Sequence, residues 1–193
     1  MVRLIVEPIQ QMYACCDALI TAADVASAVR FQNERRRTEY LAWRRVVRRE
    51  LGRTVTIDYN DVGAPTVDTP NTYISVAHGG GMVAVAIAEQ RVGVDIESAE
   101  RNFERAKERY MSLEELRLSD DSLWPAMAWT AKEAMYKLYG EKGVDLRDDL
   151  HIVAYNAATR SITGGLDGSG KSLVNISITE DNMVVAVATF EHN

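Results

Sequence analysis

The strongest constraint on this chain is a pattern that occurs twice in the same order. Ile74-Ser75-Val76 followed by Met82-Val83-Ala84-Val85-Ala86 returns as Ile176-Ser177-Ile178 followed by Met183-Val184-Val185-Ala186-Val187-Ala188. A segment of helical periodicity ending Glu50-Leu51-Gly52 precedes the first pair, and one ending Leu138-Tyr139-Gly140 precedes the second. Glycine just past the last periodic residue is a common helix stop. Short apolar matches also arise by chance, but the shared order favours two similar halves. The expected class is α+β: residues 1–90 and 91–193 related by a pseudo-twofold axis. Each half would pack a small antiparallel sheet on a long helix, with a cleft between the halves.

Local patterns predict the elements. Val2 to Val6 reads as a first strand, and about Asp17 to Ala28 as a helix. Asn33 is placed to cap a helix from Glu34 to Leu51, whose apolar positions Tyr40, Leu41, Val47 and Leu51 recur at helical spacing. Val55 to Tyr59 alternates like a strand, and the stretch from Asn60 to Asn71 is turn-rich, with two prolines. Strands are expected at Thr72 to Ala77 and Met82 to Glu89, joined at His78-Gly79-Gly80-Gly81, and again at Arg91 to Glu97. A charged helix is expected near Asn102 to Leu118, and a long one from Ser122 to Tyr139, with Pro125 in its first turn. From Gly143 onward the pattern is strands, with turns at Gly164-Gly165 and Gly168-Ser169-Gly170.

Several function classes are disfavoured. The longest clean apolar run, Met82 to Ala88, is far short of the roughly 18 residues a membrane span needs. Glu7 and Pro8 interrupt the apolar start that a signal peptide requires. Cys15 and Cys16 are adjacent, which disfavours a bridge, and His78, His151 and His192 are scattered, which disfavours a zinc site. These features predict a reducing, cytoplasmic compartment. The net charge of −6 argues against general nucleic-acid binding. Yet Arg30 to Arg53 carries nine arginines against three glutamates, a basic helix in an acidic chain. That asymmetry suggests a local anionic ligand, although a solvated arginine face has the same composition.

Two motifs carry chemistry. In Val92-Gly93-Val94-Asp95-Ile96-Glu97, strand alternation puts both carboxylates on one face. They would repel unless a cation sits between them, and Mg²⁺ prefers such hard oxygen ligands together with phosphates. A strand with one solvated face would show the same spacing. Trp129, Glu133 and Lys137 stack at i, i+4, i+8 on one helix face, with Lys132 beside them. The glycines after His78 allow backbone N–H groups to turn toward a ligand, or form a plain hairpin loop.

Jointly these residues resemble the 4'-phosphopantetheinyl transferase superfamily. The resemblance rests on Gly63-Ala64-Pro65, Ile74 to Gly80, Gly93-Val94-Asp95-Ile96-Glu97, Met111-Ser112-Leu113-Glu114-Glu115 and Trp129 to Lys137. Length and internal repeat are similar to the Sfp-like type, a single chain of two halves, rather than the shorter trimeric holo-acyl-carrier-protein synthase type.

The resemblance implies transfer of the 4'-phosphopantetheine arm of coenzyme A to a serine of an apo acyl or peptidyl carrier protein, with release of 3',5'-ADP. It implies that Asp95, Glu97 and Glu115 hold Mg²⁺ and that Glu133 takes the serine proton. Lys132 and Lys137 would lie near the phosphates, His78 would contact a coenzyme A phosphate, and Arg37 and Arg44 the 3'-phosphate. Met111, Leu113, Leu116 and Leu118 would offer apolar contacts to a carrier helix, or pack in the core. A monomer is expected, because two halves already supply the cleft. Ala64 replaces the family's usual lysine, and Ala77 and Gly79 its usual serines, which bears on coenzyme A affinity. The rival readings are a relative that binds coenzyme A or a carrier without transfer, and a Mg²⁺-dependent nucleotide hydrolase. The hydrolase would need a Gly-x-x-x-x-Gly-Lys-Ser/Thr loop, which the sequence lacks.

Overall fold

A computed structural model of the chain describes residues 1–9 and 18–191. Cys15, Cys16, His192 and the start of the expected helix at Asp17 lie outside them. The chain runs β1 (Val2–Pro8), α1 (Ala22–Ala28), α2 (Glu34–Leu51), β2 (Ile57–Tyr59), β3 (Pro65–Val67), β4 (Tyr73–Gly79), β5 (Met82–Ala88) and β6 (Val92–Ser98). A 3₁₀ turn (Glu104–Arg109) and the short α3 (Leu113–Leu116) lead to α4 (Trp124–Tyr139). The chain ends in β7 (Leu150–Asn156), β8 (Ser161–Leu166), β9 (Lys171–Ile178) and β10 (Met183–Phe190).

All strand pairs are antiparallel. One sheet has the order β1-β5-β4, a second the order β6-β10-β9-β8-β7, and β2 pairs with β3. The long helix α2 begins where the Asn33 side chain accepts the Arg35 N–H at 2.8 Å, and it ends at Gly52, whose φ is 115°. Its Trp43, Val46 and Val47 are buried against Val83, Val85 and Ile87 of β5. The helix α4 carries Pro125 in its first turn and stops at Gly140 in the left-handed region. It is buried nearly all round, with Met127, Met135 and Leu138 packed on β7 to β10. A third apolar layer joins the two sheets. Ala77, Ala84 and Ala86 of β4 and β5 meet Val92, Val94 and Ile96 of β6, together with Val185. The hydroxyl of Ser75 accepts the Val94 N–H at 3.0 Å across this seam.

Three expectations need correction. The segment 102–118 is not one helix. Phe103, Tyr110 and Met111 turn inward as buried anchors, and the chain between and after them forms only the 3₁₀ turn and α3. Gly164 and Gly165 lie inside β8 rather than in a turn. A side chain at Gly164 would meet the His151 carbonyl and the Met135 sulfur, so glycine here permits close packing. The His78 loop is shorter than expected, because β4 runs through Gly79 and only Gly80 and Gly81 turn, both with positive φ. Among the described residues, no helix is long and apolar enough to cross a membrane.

Candidate active site where β6 meets α4

The site exists because α4 approaches β6 unusually closely. A Cβ at Gly93 would overlap the Ala134 carbonyl oxygen and come within 2.8 Å of Leu138 N. Only glycine allows that approach. Gly93 and Asp95 face α4, whereas Val94 and Ile96 enter the apolar seam. Lys137 then donates to Asp95 Oδ1 at 2.8 Å and to the Val94 carbonyl at 2.9 Å. Two turns earlier, Trp129 Nε1 donates to Glu97 Oε1 at 2.9 Å. Glu133 lies between them on the same helix face.

The electrostatics of this group are unbalanced. Burial pushes the Glu133 carboxyl above the usual glutamate range, and the charges of Asp95 and Glu97 push it further, with Lys137 and Arg101 opposing. Three carboxylates thus face two cations. Asp95 is buried, and its Oδ2 has no hydrogen-bond partner. A buried carboxylate oxygen without a partner is costly. Hard oxygen donors, an orphaned Oδ2 and one surplus negative charge together fit a divalent cation such as Mg²⁺. As the side chains stand, no three His, Cys, Asp or Glu groups among the described residues form a ligating cluster.

The end of β4 closes one side of this group. A Cβ at Gly79 would overlap the Ile96 carbonyl oxygen and lie 3.6 Å from Glu97 Cα. Any side chain here would therefore collide with β6, which gives a physical reason for glycine at this position. His78, exposed beside it, reaches α2, with Nδ1 3.3 Å from Glu39 Oε2. Glu39 is buried and also accepts from Arg35 Nε at 2.8 Å. No sequence motif marked Glu39, because its partner on β4 is distant in the chain. Arg37 donates to the Phe31 carbonyl at 2.6 Å and the Gln32 carbonyl at 3.4 Å, which ties down the entry to α2.

Three expected site residues stand elsewhere. Lys132 is fully buried, and its three N–H donors go to the Leu146 and Leu150 carbonyls, both at 2.7 Å, and to Glu115 Oε1 at 2.8 Å. Burial pushes its ammonium below the usual lysine range, and Glu115 pushes it back up. Glu115 also accepts the backbone N–H groups of Ser112 at 2.8 Å and Ile152 at 2.7 Å. The pair locks α4 to α3 and β7, and leaves neither group at the acids of β6. Arg44 is likewise buried. It bonds to Asp24 Oδ1 at 3.0 Å, and its guanidinium lies 4.5 Å from the Tyr40 ring centroid and 4.7 Å from that of Trp43. Arg48 also pairs with Asp24, while Arg49 pairs with Glu7 and Glu50. Much of the basic surplus of α2 is thus neutralised within the fold.

Of the residues expected to meet a carrier helix, Met111 is buried and Leu116 and Leu118 pack on the core. Only Leu113 is largely exposed.

A model of the 4'-phosphopantetheinyl transferase superfamily matches residues 91–188, from the start of β6 almost to the end of β10. The chain belongs to this superfamily. The match spans both halves of the acidic group, Asp95 and Glu97 on β6 and Glu133 on α4. A search of curated proteins finds no match to the chain. Within this superfamily member, two clefts open beside Lys137. One of about 290 Å³ is lined by Trp43, Tyr59, Pro65 and Tyr136, and one of about 610 Å³ by Asn60, Thr66 and Arg91.

Proposed function

We propose that the protein transfers the 4'-phosphopantetheine arm of coenzyme A to the serine of an apo acyl or peptidyl carrier protein and releases 3',5'-ADP. Phosphopantetheine transfer follows from the superfamily in general. The observation that supports the rest is the partnerless, buried Oδ2 of Asp95 beside Glu97 and Glu133.

In this reading Asp95 and Glu97 hold Mg²⁺, and Glu133 completes the acidic set in place of Glu115. When bound, the cation would neutralise the coenzyme A pyrophosphate and make its phosphorus more electrophilic. The serine oxygen forms the new P–O bond, the bond to 3',5'-ADP breaks, and Glu133 takes the serine proton, directly or through one water. A positioned base of this kind contributes about 10²–10⁴-fold. Lys137 orients Asp95 and adds positive charge near the phosphates. His78 and Arg37 face the coenzyme A phosphates from the side of α2, while Lys132, Glu115 and Arg44 hold the fold.

The internal recurrence supports the Sfp-like, single-chain type, with residues 1–90 and 91–193 as pseudo-twofold halves and a monomer as the working form. Each half carries a long helix on a sheet that contains the recurring hairpin, β4–β5 in one and β9–β10 in the other. The test is intact mass spectrometry of apo carrier proteins with this protein, coenzyme A and Mg²⁺. A gain of about 340 Da, the mass of the arm joined through a serine–phosphate bond, is the expected result. No gain on acyl, polyketide or peptidyl carriers would favour a relative that binds without transfer.

A further inference from the structure

One oxygen of Glu97 is held by a device that the proposed chemistry does not use. Glu97 Oε1 accepts from Trp129 Nε1 at 2.9 Å and from Arg101 at 2.6 Å. The Trp129 ring is wedged edge-on against Tyr110, centroids 5.0 Å apart, and lies 6.3 Å from Phe103. Tyr110 and Phe103 are buried, and Tyr110 is anchored by its hydroxyl to the Pro125 carbonyl at 2.9 Å. The indole is therefore fixed on three sides. Arg101, more exposed, rests over Phe103 and Trp129 at 5.0 and 5.5 Å from their centroids. The irregular segment after β6 thus builds an aromatic wall behind Glu97.

We propose that Trp129 is a positioning residue for the cation site. Its indole N–H pins Oε1, so that Oε2 is the oxygen Glu97 presents to a divalent ion. Arg101 meets the same oxygen from the exposed side, so it too leaves Oε2 free, and its charge competes with a cation for Glu97. The proposal rests on the reading of Asp95 and Glu97 as cation ligands. A carboxylate free to rotate loses orientation when the ion arrives, whereas one hydrogen-bonded at its far oxygen does not. Loss of such outer partners typically weakens metal affinity about 10–100-fold.

The test uses the whole protein and Mn²⁺ as the probe, with binding followed by electron paramagnetic resonance in the presence of coenzyme A. Trp129→Phe keeps the ring contacts and removes the donor, so its affinity should fall about 10-fold or more with an unchanged far-ultraviolet circular dichroism spectrum. Arg101→Gln removes the competing charge and should bind Mn²⁺ no more weakly than wild type. A second measurement needs no variant fold. In a Mg²⁺ titration of wild type, the indole N–H resonance of Trp129 should move, and those of Trp43 and Trp124 should not. Wild-type affinity in Trp129→Phe, or a stationary Trp129 resonance in metal-bound protein, overturns the positioning role alone. No Mn²⁺ binding by wild type overturns the cation reading and this proposal with it.

Discussion

Replacing Lys132 by methionine separates a structural lysine from a chemical one. Lys132 has no exposed surface, and the Glu115 side chain opposite it is 3% exposed. Methionine fills nearly the same volume but leaves the Glu115 carboxylate with only the Ser112 and Ile152 N–H groups. It also strips the Leu146 and Leu150 carbonyls of their donor. Breaking one side of a buried pair typically costs about 3–5 kcal/mol. At this chain length each kcal/mol moves the midpoint by about 2–4 °C, so thermal unfolding should shift down by roughly 6–20 °C. The double variant Lys132→Met, Glu115→Gln removes both charges and should recover much of the loss, because a neutral well-packed replacement of a buried pair is often close to neutral. Urea unfolding of wild type, both single variants and the double variant gives the coupling energy. A Lys132→Met protein with wild-type stability and no transferase activity would return Lys132 to the chemistry.

Burial raises the Asp24 pKa, but hydrogen bonds from Arg48 and Thr21 outweigh it and hold the group below the usual aspartate range of 3.8. A depressed folded-state pKa gives stability that is complete above 3.8 and is lost as pH falls through the folded value. The thermal midpoint of wild type should therefore fall more steeply below pH 4 than that of Asp24→Asn; parallel curves would contradict the assignment. Gly93→Ala should force α4 from β6, cost about 1–3 kcal/mol of overpacking, and lower transfer even where the protein stays folded. A stability within 0.5 kcal/mol of wild type, by urea unfolding, would show that the helix has room. Glu133→Gln should reduce turnover by about 10²-fold or more while coenzyme A binding, read by calorimetry, persists.

The parts of the fold marked by local signals were legible. Asn33 and Gly52 bound α2 at the expected residues, and Pro125 and Gly140 bracket α4. Strand alternation put Asp95 and Glu97 together, and helical spacing put Trp129, Glu133 and Lys137 on one face. What local spacing does not carry is the choice between neighbouring faces. Lys132 and Glu133 are adjacent, yet one points to Glu115 and the interior and the other to the acids of β6. That difference depends on where α3 and β7 pack. The fate of Arg44 and Arg48 was hidden for the same reason, since Asp24 is 20 and 24 residues away from them in the chain. The segment after β6 has the charge pattern of a helix, but its buried aromatics serve Trp129 rather than a helical face.

In the proposed function, the acids at the junction of β6 and α4 carry out the transfer. Its most direct test is the time course of arm addition to an apo carrier protein by wild type and by Asp95→Asn, with coenzyme A and Mg²⁺, read by intact mass. Asparagine keeps the size of the side chain and removes the charge that the buried, partnerless Oδ2 contributes. Wild type should reach complete addition, and the folded variant should be at least about 10²-fold slower, since charge neutralisation dominates phosphoryl transfer. Addition by Asp95→Asn at the wild-type rate would remove Asp95 from the transfer.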